Sequence, residues 1–181
     1  MFLTSLRQIL LWTLICGCLY PLTMIGLGQL AFSHQANGSM LADGKGSQLV
    51  GQNFQGPEYF WGRLSATGDI PYNSAASAGS NFGPNEPKLK AMRGQALARH
   101  GEGAPEDLLT ASGSGLDPHI SPQAARYQVE RVARSRGLEA SQVAALVEAH
   151  VQGKQFGVLG NPRINVLQLN LALDLRSSEN R

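Results

Sequence analysis

The strongest pattern in the chain is an uncharged, mostly apolar run over 8–33. About 20 apolar residues rising 1.5 Å each cover the roughly 30 Å of hydrocarbon in a bilayer. The run therefore predicts a transmembrane helix over 8–33, preceded by a short tail over 1–7. Arg7 precedes the run, and the next lysine or arginine is Lys45. The positive-inside rule then predicts a cytoplasmic tail and an extracytoplasmic remainder, 34–181.

Two kinds of cleavage are alternatives to a retained anchor. A signal peptide has an apolar core of about 7 to 15 residues, whereas this run is longer. The stretch before Cys18 resembles a lipoprotein cleavage site, but the apolar run continues to Phe32. We therefore expect an uncleaved anchor. Cys16 and Cys18 are the only cysteines, so the remainder has no thiol for a disulfide or a metal site.

Beyond the span, polar loops alternate with short amphipathic elements, which is typical of a single mixed domain. Apolar spacing and capping residues predict three helices. They run from Pro87 to His100 with Asn85 as cap, from Ser121-Pro122 to Gly137, and through Val143 to Val151 with Gly153 as the end. His150 is expected on the buried stripe of the third helix as a hydrogen-bonded core histidine.

The carboxyl-terminal pattern is ambiguous between two elements. Leucines at 167, 169, 171 and 173 alternate with polar or small residues, which predicts a half-buried strand. A short helix is the alternative, because Leu, Ala and Asp are poor strand formers. Leu49-Val50 give a weaker strand signal, 34–45 is expected to be an irregular linker, and 176–181 a solvated tail. The fold class predicted is an α+β extracytoplasmic domain on a single transmembrane helix.

Charge excludes some partners. Setting Arg7 aside leaves 14 of the 15 Lys and Arg against 13 Asp and Glu, a formal net charge of +1 beyond the span. This balance provides no basic field for nucleic acid. The phosphate-loop pattern GxxxxGK[ST] is also absent from the chain, so a self-sufficient nucleotide site is not expected.

The most suggestive loop is 110–119, where Gly113 and Gly115 flank Ser114. Three interpretations compete: a structural turn, a hydrolase site that uses Ser114 with His119, and a docking loop for a partner protein. The two glycines are expected to permit positive φ and a close approach to another surface. The catalytic interpretation is weaker, because Asp117 and His119 lie too near in sequence for a usual triad and Ser112 breaks the GxSxG pattern.

Two further segments are candidates for docking. The polar loop over 72–87 is long for a structureless connection, and such loops are often functional. An aromatic segment over 54–66 could fill the core or anchor a partner, and Arg63 could be an interface cation or part of a salt bridge. The docking residues predicted are Tyr59, Trp61, Arg63, Asn73, Ser80, Asn81, Ser112, Ser114, Asp117 and His119. No catalytic or metal-binding residue is assigned.

Several blocks together resemble the C subunit of the Kdp-type potassium-transporting ATPase, in order and nearly end to end. They are LYPL (19–22), GSQLVGQNF (46–54), YFWGR (59–63), GSNFGPNEP (79–87), DLLTASGSGLDPHISP (107–122) and NVLQLNLALD (165–174). Leu64 and Ala78 depart from the residues usual in that family, proline and glycine respectively.

The resemblance implies a non-catalytic subunit of a complex in the cell (inner) membrane. Its partners would be a channel-like potassium-conducting subunit, a P-type ATPase subunit that hydrolyses ATP, and a small membrane subunit. The family's C subunit is needed for assembly and has been described as a catalytic chaperone that raises the ATP affinity of the pump. No cofactor of its own is implied: ATP would act through the ATPase subunit, and potassium is the transported ion. With the ectodomain opposite the cytoplasmic nucleotide, we expect that coupling to be indirect.

Overall fold

The computed structural model describes residues 1–41 and 44–179. The chain divides into two units, Met1–Ser47 and Gln48–Arg181. The helices and strands, in order, are α1 (Phe2–Leu14), a π-helical segment (Ile15–Leu19), α2 (Tyr20–Ala31), α3 (Ser33–Ala36), a 3-10 turn (Ser74–Ala76), α4 (Pro87–His100), α5 (Glu106–Leu109), β1 (His119–Ile120), α6 (Pro122–Arg136), α7 (Ala140–Ala149), β2 (Ile164–Asn165) and α8 (Val166–Glu179).

The first unit is dominated by continuous helix over Phe2–Ala31, which is long and apolar enough to cross a membrane and has no buried residue. The helix starts earlier than the uncharged run, so Arg7 lies within it. The wider π-helical turn ends at Leu19, and Pro21 follows in the first turn of α2. Because proline has no N–H to donate, a regular ladder of hydrogen bonds cannot continue through it. The linker predicted over 34–45 contains most of α3, and its residues 42 and 43 lie outside the described chain.

The core of the second unit lies between α6, α7 and α8. Apolar side chains from these helices pack with Phe60, Leu108 and Ile120. Each of these three residues is at most 2% exposed. Burying such side chains contributes about 1.5 to 3 kcal/mol each before the cost of ordering the chain is subtracted. This core supports the loops that carry the predicted docking residues.

The sheet of this unit is very small. β1 pairs antiparallel with β2, with His119 opposite Asn165 and Ile120 opposite Ile164. This pairing ties the end of the 110–119 loop to the start of α8. The α+β class is therefore confirmed, although most of the regular structure is helical.

The predicted α4 and α6 are confirmed, with one error in capping. Glu86, and not Asn85, stands at the cap of α4, and it makes no side-chain capping bond. Ser121 caps α6 as expected, because its Oγ accepts a hydrogen bond from the Ala124 amide over 3.0 Å. Gly137 ends α6 in the left-handed conformation, with φ of 66°.

The third predicted helix, α7, ends earlier than expected. It stops at Ala149, so Gly153 is not its terminator. His150 is therefore the residue after the helix and is half-buried instead of lying on the buried stripe. Its Nδ1 is 2.8 Å from the Leu146 carbonyl oxygen, so the ring does have the hydrogen bond expected of it.

The strand predicted over 167–173 is wrong, and the helical alternative is correct. The most deeply buried positions include Val166, Leu169, Asn170 and Leu173, a helical spacing of three and four residues. A polar residue at position 170 hides this stripe, and the alternating leucines imitate a strand. The tail predicted from 176 belongs to α8 as far as Glu179, and 180–181 lie outside the described residues. Leu49-Val50 form no strand.

Two amide side chains pair with the backbone of the aromatic segment, as a neighbouring β-strand would. Asn170 on α8 accepts from the Phe60 amide over 2.8 Å and donates to the Phe60 carbonyl over 3.0 Å. Gln128 on α6 does the same for Trp61, over 2.8 and 3.1 Å. We call this pair of residues the amide clamp. It satisfies buried backbone groups that would otherwise be costly and fixes the segment leading to Arg63.

Candidate functional site

The two loops predicted to dock lie together, at a place we call the loop junction. The Ala78 amide donates to the Ser114 carbonyl over 3.0 Å, and the Ser112 amide donates to the Leu64 carbonyl over 3.0 Å. A parallel bridge also joins Leu64 to Ala111. The junction is therefore built from the 110–119 loop, the loop over 72–87 and the end of the aromatic segment.

One of the two glycines around Ser114 is required by this packing. Gly115 has φ of +70°, and a Cβ there would lie 2.5 Å from Thr67 Cγ2 and 2.8 Å from the Ala78 oxygen. Gly113 was expected to share this role, but it has no positive φ, and a Cβ on it would meet nothing within 4 Å. Gly113 is thus an open surface position, whereas Gly115 is enclosed.

Asp117 is the charged centre of the junction. Its Oδ2 accepts from Arg63 over 3.2 Å, and its Oδ1 accepts from the His119 amide over 3.0 Å and lies 3.3 Å from His119 Nδ1. Burial alone would raise the pKa of Asp117, but the hydrogen bonds from His119 and the charge and hydrogen bond of Arg63 lower it. Three predicted docking residues are thereby brought together, and Arg63 is the salt-bridge partner of Asp117.

Tyr72 completes the junction, although no sequence pattern assigned it a role. Its hydroxyl donates to the Arg63 carbonyl and its amide donates to Ser65 Oγ over 2.9 Å. A Cβ on Gly51 or Gly62 would come within 2.4 or 2.6 Å of Tyr72. Burial, then the charge of Asp117, raises the pKa of Tyr72 to about 12. Glycine permits such close approach, but both glycines lie well before Tyr72 along the chain, so no local pattern in the sequence pointed to this contact.

The predicted aromatic residues face inward. Trp61 is 8% exposed, its Nε1 donates to the Gly56 carbonyl over 2.8 Å, and the Arg131 and Arg99 guanidinium carbons lie 3.6 and 4.1 Å from its ring centre. Tyr59 is half-buried, 5.3 Å from the ring of Phe54. In this chain Trp61 serves the interior of the domain, and Tyr59 keeps part of its surface exposed.

A cleft of about 540 Å³ lies beside Trp61. Arg131 donates to the Tyr59 carbonyl over 3.0 Å, and Arg99 donates to the Phe54 carbonyl over 2.9 Å. Burial, followed by repulsion from Arg99 and Arg131, lowers the pKa of His100 to about 4. Burial, then Arg99, lowers the pKa of Arg131 to about 10. These cations hold the aromatic segment against the helices.

The remaining predicted residues differ in exposure and in hydrogen bonding. Asn73 accepts from the Ala75 amide over 3.0 Å, so it caps the 3-10 turn. Asn81 is exposed at φ of 51°, and Ser80 beside it is half-buried. Ser112 is 3% exposed, and its buried Oγ has no hydrogen-bond partner. Among these four residues, only Asn81 is exposed, and Ser112 belongs to the interior of the junction.

The geometry gives no support to the hydrolase alternative. Ser114 Oγ accepts from the Leu116 amide over 3.1 Å, as in an ordinary turn, and the described polar contacts of the His119 amide and ring are with Asp117 and not with Ser114. Within residues 1–41 and 44–179, no three His, Cys, Asp or Glu side chains are grouped so that they could hold a metal ion.

Fold and site define a class of protein. It has a small α+β domain whose surface loops are joined at the loop junction, and a preceding helix that is long and apolar enough to cross a membrane. The family described as "K+-transporting ATPase, c chain" matches residues 2–175. The chain belongs to that family, as the resemblance in the sequence indicated.

Curated relatives agree with this assignment. The chain is 56% identical over 172 residues to the potassium-transporting ATPase KdpC subunit of Paraburkholderia phytofirmans, with 90% of each chain covered. It is 55% identical over 183 residues to that of Methylococcus capsulatus, with 96% of each covered. The KdpC subunit of Herpetosiphon aurantiacus is 50% identical over 183 residues, covering 96% of this chain and 95% of the relative.

Proposed function

We propose that this chain is the non-catalytic accessory subunit of a high-affinity, ATP-driven potassium uptake complex. Its amino-terminal helix anchors it in the cell (inner) membrane, and the unit from Gln48 onward lies outside the cytoplasm. ATP hydrolysis belongs to a P-type ATPase subunit and potassium conduction to a channel-like subunit, with a small membrane subunit as a further partner. Family membership over residues 2–175 supports this role, as does an apolar helix with Arg7 near its start.

The loop junction is the surface proposed to dock on the extracytoplasmic face of the potassium-conducting subunit. The single observation that carries this proposal is the backbone hydrogen bond between Ala78 and Ser114, which joins the two loops. The ion pair of Asp117 with Arg63 further fixes the 110–119 loop. A braced loop loses little conformational freedom when it binds, which favours affinity. Gly113, Ser114 and Asn81 are exposed there.

Gly113→Val tests this docking, because it adds bulk to an open position of the junction without an internal clash. We expect the variant chain to fold normally but to lose most of its co-purification with the other subunits from mild detergent. Gly94→Val is the matched control, since a Cβ added to that exposed glycine on α4 would also meet nothing within 4 Å. Equal recovery of the complex with both variants would rule out the junction as the docking surface.

We propose further that this docking raises the ATP affinity of the pump subunit indirectly, as the family resemblance implies. Such coupling requires only that the chain bind one state of the pump better than another. The apparent ATP affinity of the complex should then fall when the chain is omitted, and partly fall with Gly113→Val. An unchanged ATP affinity without this chain would exclude the chaperone role while leaving the docking role standing.

A further inference from the structure

The connection between α7 and β2 closes into a hairpin that projects from the second unit. Gln152 and Arg163 exchange backbone hydrogen bonds of 2.8 and 3.0 Å, and Gln155 and Leu159 exchange two of 2.9 Å. We call residues 152–163 the apolar hairpin. The Gln152–Arg163 pair closes the base of the hairpin and the Gln155–Leu159 pair closes its tip, so the tip is a defined turn.

Large apolar side chains are displayed at this tip. Phe156 is 92% exposed, Val158 74% and Leu159 58%. Single exposed apolar residues are ordinary, but three within four positions form a patch of the kind that marks an interaction site. Phe156 also has φ of 52°, a conformation unfavourable for a bulky residue, and such strain is concentrated at functional sites.

The charged residues within the hairpin sequence all have one sign. Between Glu148 and Asp174 the chain contains no acidic residue, and its only lysine and arginine there are Lys154 and Arg163. Both basic residues belong to the apolar hairpin, one on each side of the exposed side chains. A complementary surface would be apolar at its centre and acidic at its rim.

The closed backbone of the apolar hairpin favours a protein partner over a lipid one. A bilayer accepts apolar side chains from many backbone conformations, so it would not require a closed turn with phenylalanine at positive φ. A fixed set of three side chains matches a preformed pocket, in which aromatic anchors contribute most of the binding energy.

From these features we infer that the apolar hairpin is a plug. It inserts Phe156, Val158 and Leu159 into an apolar pocket on another polypeptide of the potassium-transporting complex, with acidic side chains of that pocket facing Lys154 and Arg163. The inference rests on the accessory-subunit role proposed above, but not on docking by the loop junction.

A photo-crosslinking amino acid in place of Phe156 tests the inference in the intact complex. The full chain carrying benzoylphenylalanine at position 156 is produced with its partner subunits, irradiated in native membranes, and its adducts are identified by mass spectrometry. The expected result is a covalent adduct with another subunit of the complex. The same probe at Gln123, an exposed position on α6, is expected to give little or none.

Other results would overturn the plug. Adducts only with lipid, only with a second copy of this chain, or no stronger than those from position 123 in a complex that still co-purifies would each contradict it. Failure of the unsubstituted chain to co-purify with any partner would remove the accessory-subunit role, and the plug with it. The two failures are therefore distinguishable.

Phe156→Gly gives a second measurement that does not risk the fold. Glycine accepts positive φ without strain, so the melting temperature of the isolated full chain should stay the same or rise. The affinity for the remaining subunits should fall about tenfold or more, the effect of removing an aromatic anchor. Lys154→Glu should also weaken assembly, whereas Lys88→Glu, exposed at the start of α4, should not. Unchanged affinity in Phe156→Gly would overturn the inference.

Discussion

Asp117 shows how a residue can be recognised in a sequence while its task is not. Its place in a Gly-Leu-Asp-Pro-His turn predicted a docking residue, and docking by it remains a prediction. Its ion-pair partner, Arg63, lies 54 positions earlier in the chain. Sequence spacing could not reveal that pair, because the contact depends on how two loops cross the core.

Removing the Asp117 carboxylate should destabilise the second unit. In Asp117→Ala, Arg63 loses its counter-ion and the His119 amide loses its acceptor, so the free energy of unfolding should fall by about 1 to 3 kcal/mol. Chemical denaturation of the full chain in detergent measures this change. Asp117→Asn keeps an acceptor and should lose less. An alanine variant as stable as the parent would show that these bonds contribute nothing net.

His100 should make stability depend on pH. Its pKa is lowered to about 4 in the folded chain by burial and by Arg99 and Arg131, against about 6.5 when unfolded. The unfolded chain therefore takes up a proton first as pH falls. The stability contributed by neutral His100 is complete above about pH 6.5 and is lost as pH falls towards 4.

Denaturation midpoints between pH 7 and pH 4 check this sign. His100→Gln should show a shallower loss of stability over that range than the parent chain. The ring of His34 lies in the other unit, so His34→Gln is the control and should follow the parent. A parent and a His100→Gln variant with parallel pH profiles would contradict the shifted pKa.

Among the elements, α6 and α8 show what local signals can and cannot predict. Ser121, Pro122 and Gly137 are capping signals that act within one turn of the chain, and they located α6 correctly. Whether residues 167–173 form a helix or a strand could be decided only from which of their side chains are buried. Asn170 interrupts the apolar stripe because it is needed for the Phe60 backbone, and that need is visible only after folding.

Asn170→Leu should therefore be costly even though it completes an apolar stripe. The substitution leaves the Phe60 amide and carbonyl without partners in a site that is 0% exposed. At about 1 to 3 kcal/mol for each of the two unsatisfied groups, we expect a loss of about 2 to 6 kcal/mol, measured by chemical denaturation. Gln168→Leu, at a half-buried position of the same helix, should have a much smaller effect. A stabilised Asn170→Leu variant would disprove the clamp.

For the whole molecule, the sequence predicted the apolar amino-terminal helix, the α+β class and the two loops, because apolar runs, hydrophobic periodicity and turn residues are local signals. It could not place Trp61 inside or reveal Tyr72, since both positions depend on contacts between distant segments. The positive φ of Phe156 is likewise a product of hairpin closure. Residue type alone therefore did not separate the exposed positions proposed to dock from the buried positions that support them.

The topology proposed for the chain is testable by cysteine labelling. With Cys16 and Cys18 replaced by serine, Ser135→Cys on the exposed surface of α6 should react with a membrane-impermeant maleimide in intact spheroplasts. Ser5→Cys, near the start of α1, should react only after permeabilisation, because the positive-inside rule predicts that this end of the helix faces the cytoplasm. Mass-tag shifts on a denaturing gel give the readout. The reverse labelling pattern would place the second unit in the cytosol.

The amide clamp also bears on how the protein is made. Its α8 half closes over 110 positions of sequence, so the ribosome must add that many residues after Phe60 before the clamp can form. At about 5 to 20 residues per second this interval is roughly 5 to 20 s. Until Asn170 emerges, the Phe60 amide and carbonyl lack the side-chain partners that satisfy them in the folded domain, so we expect the aromatic segment to stay unprotected during translation.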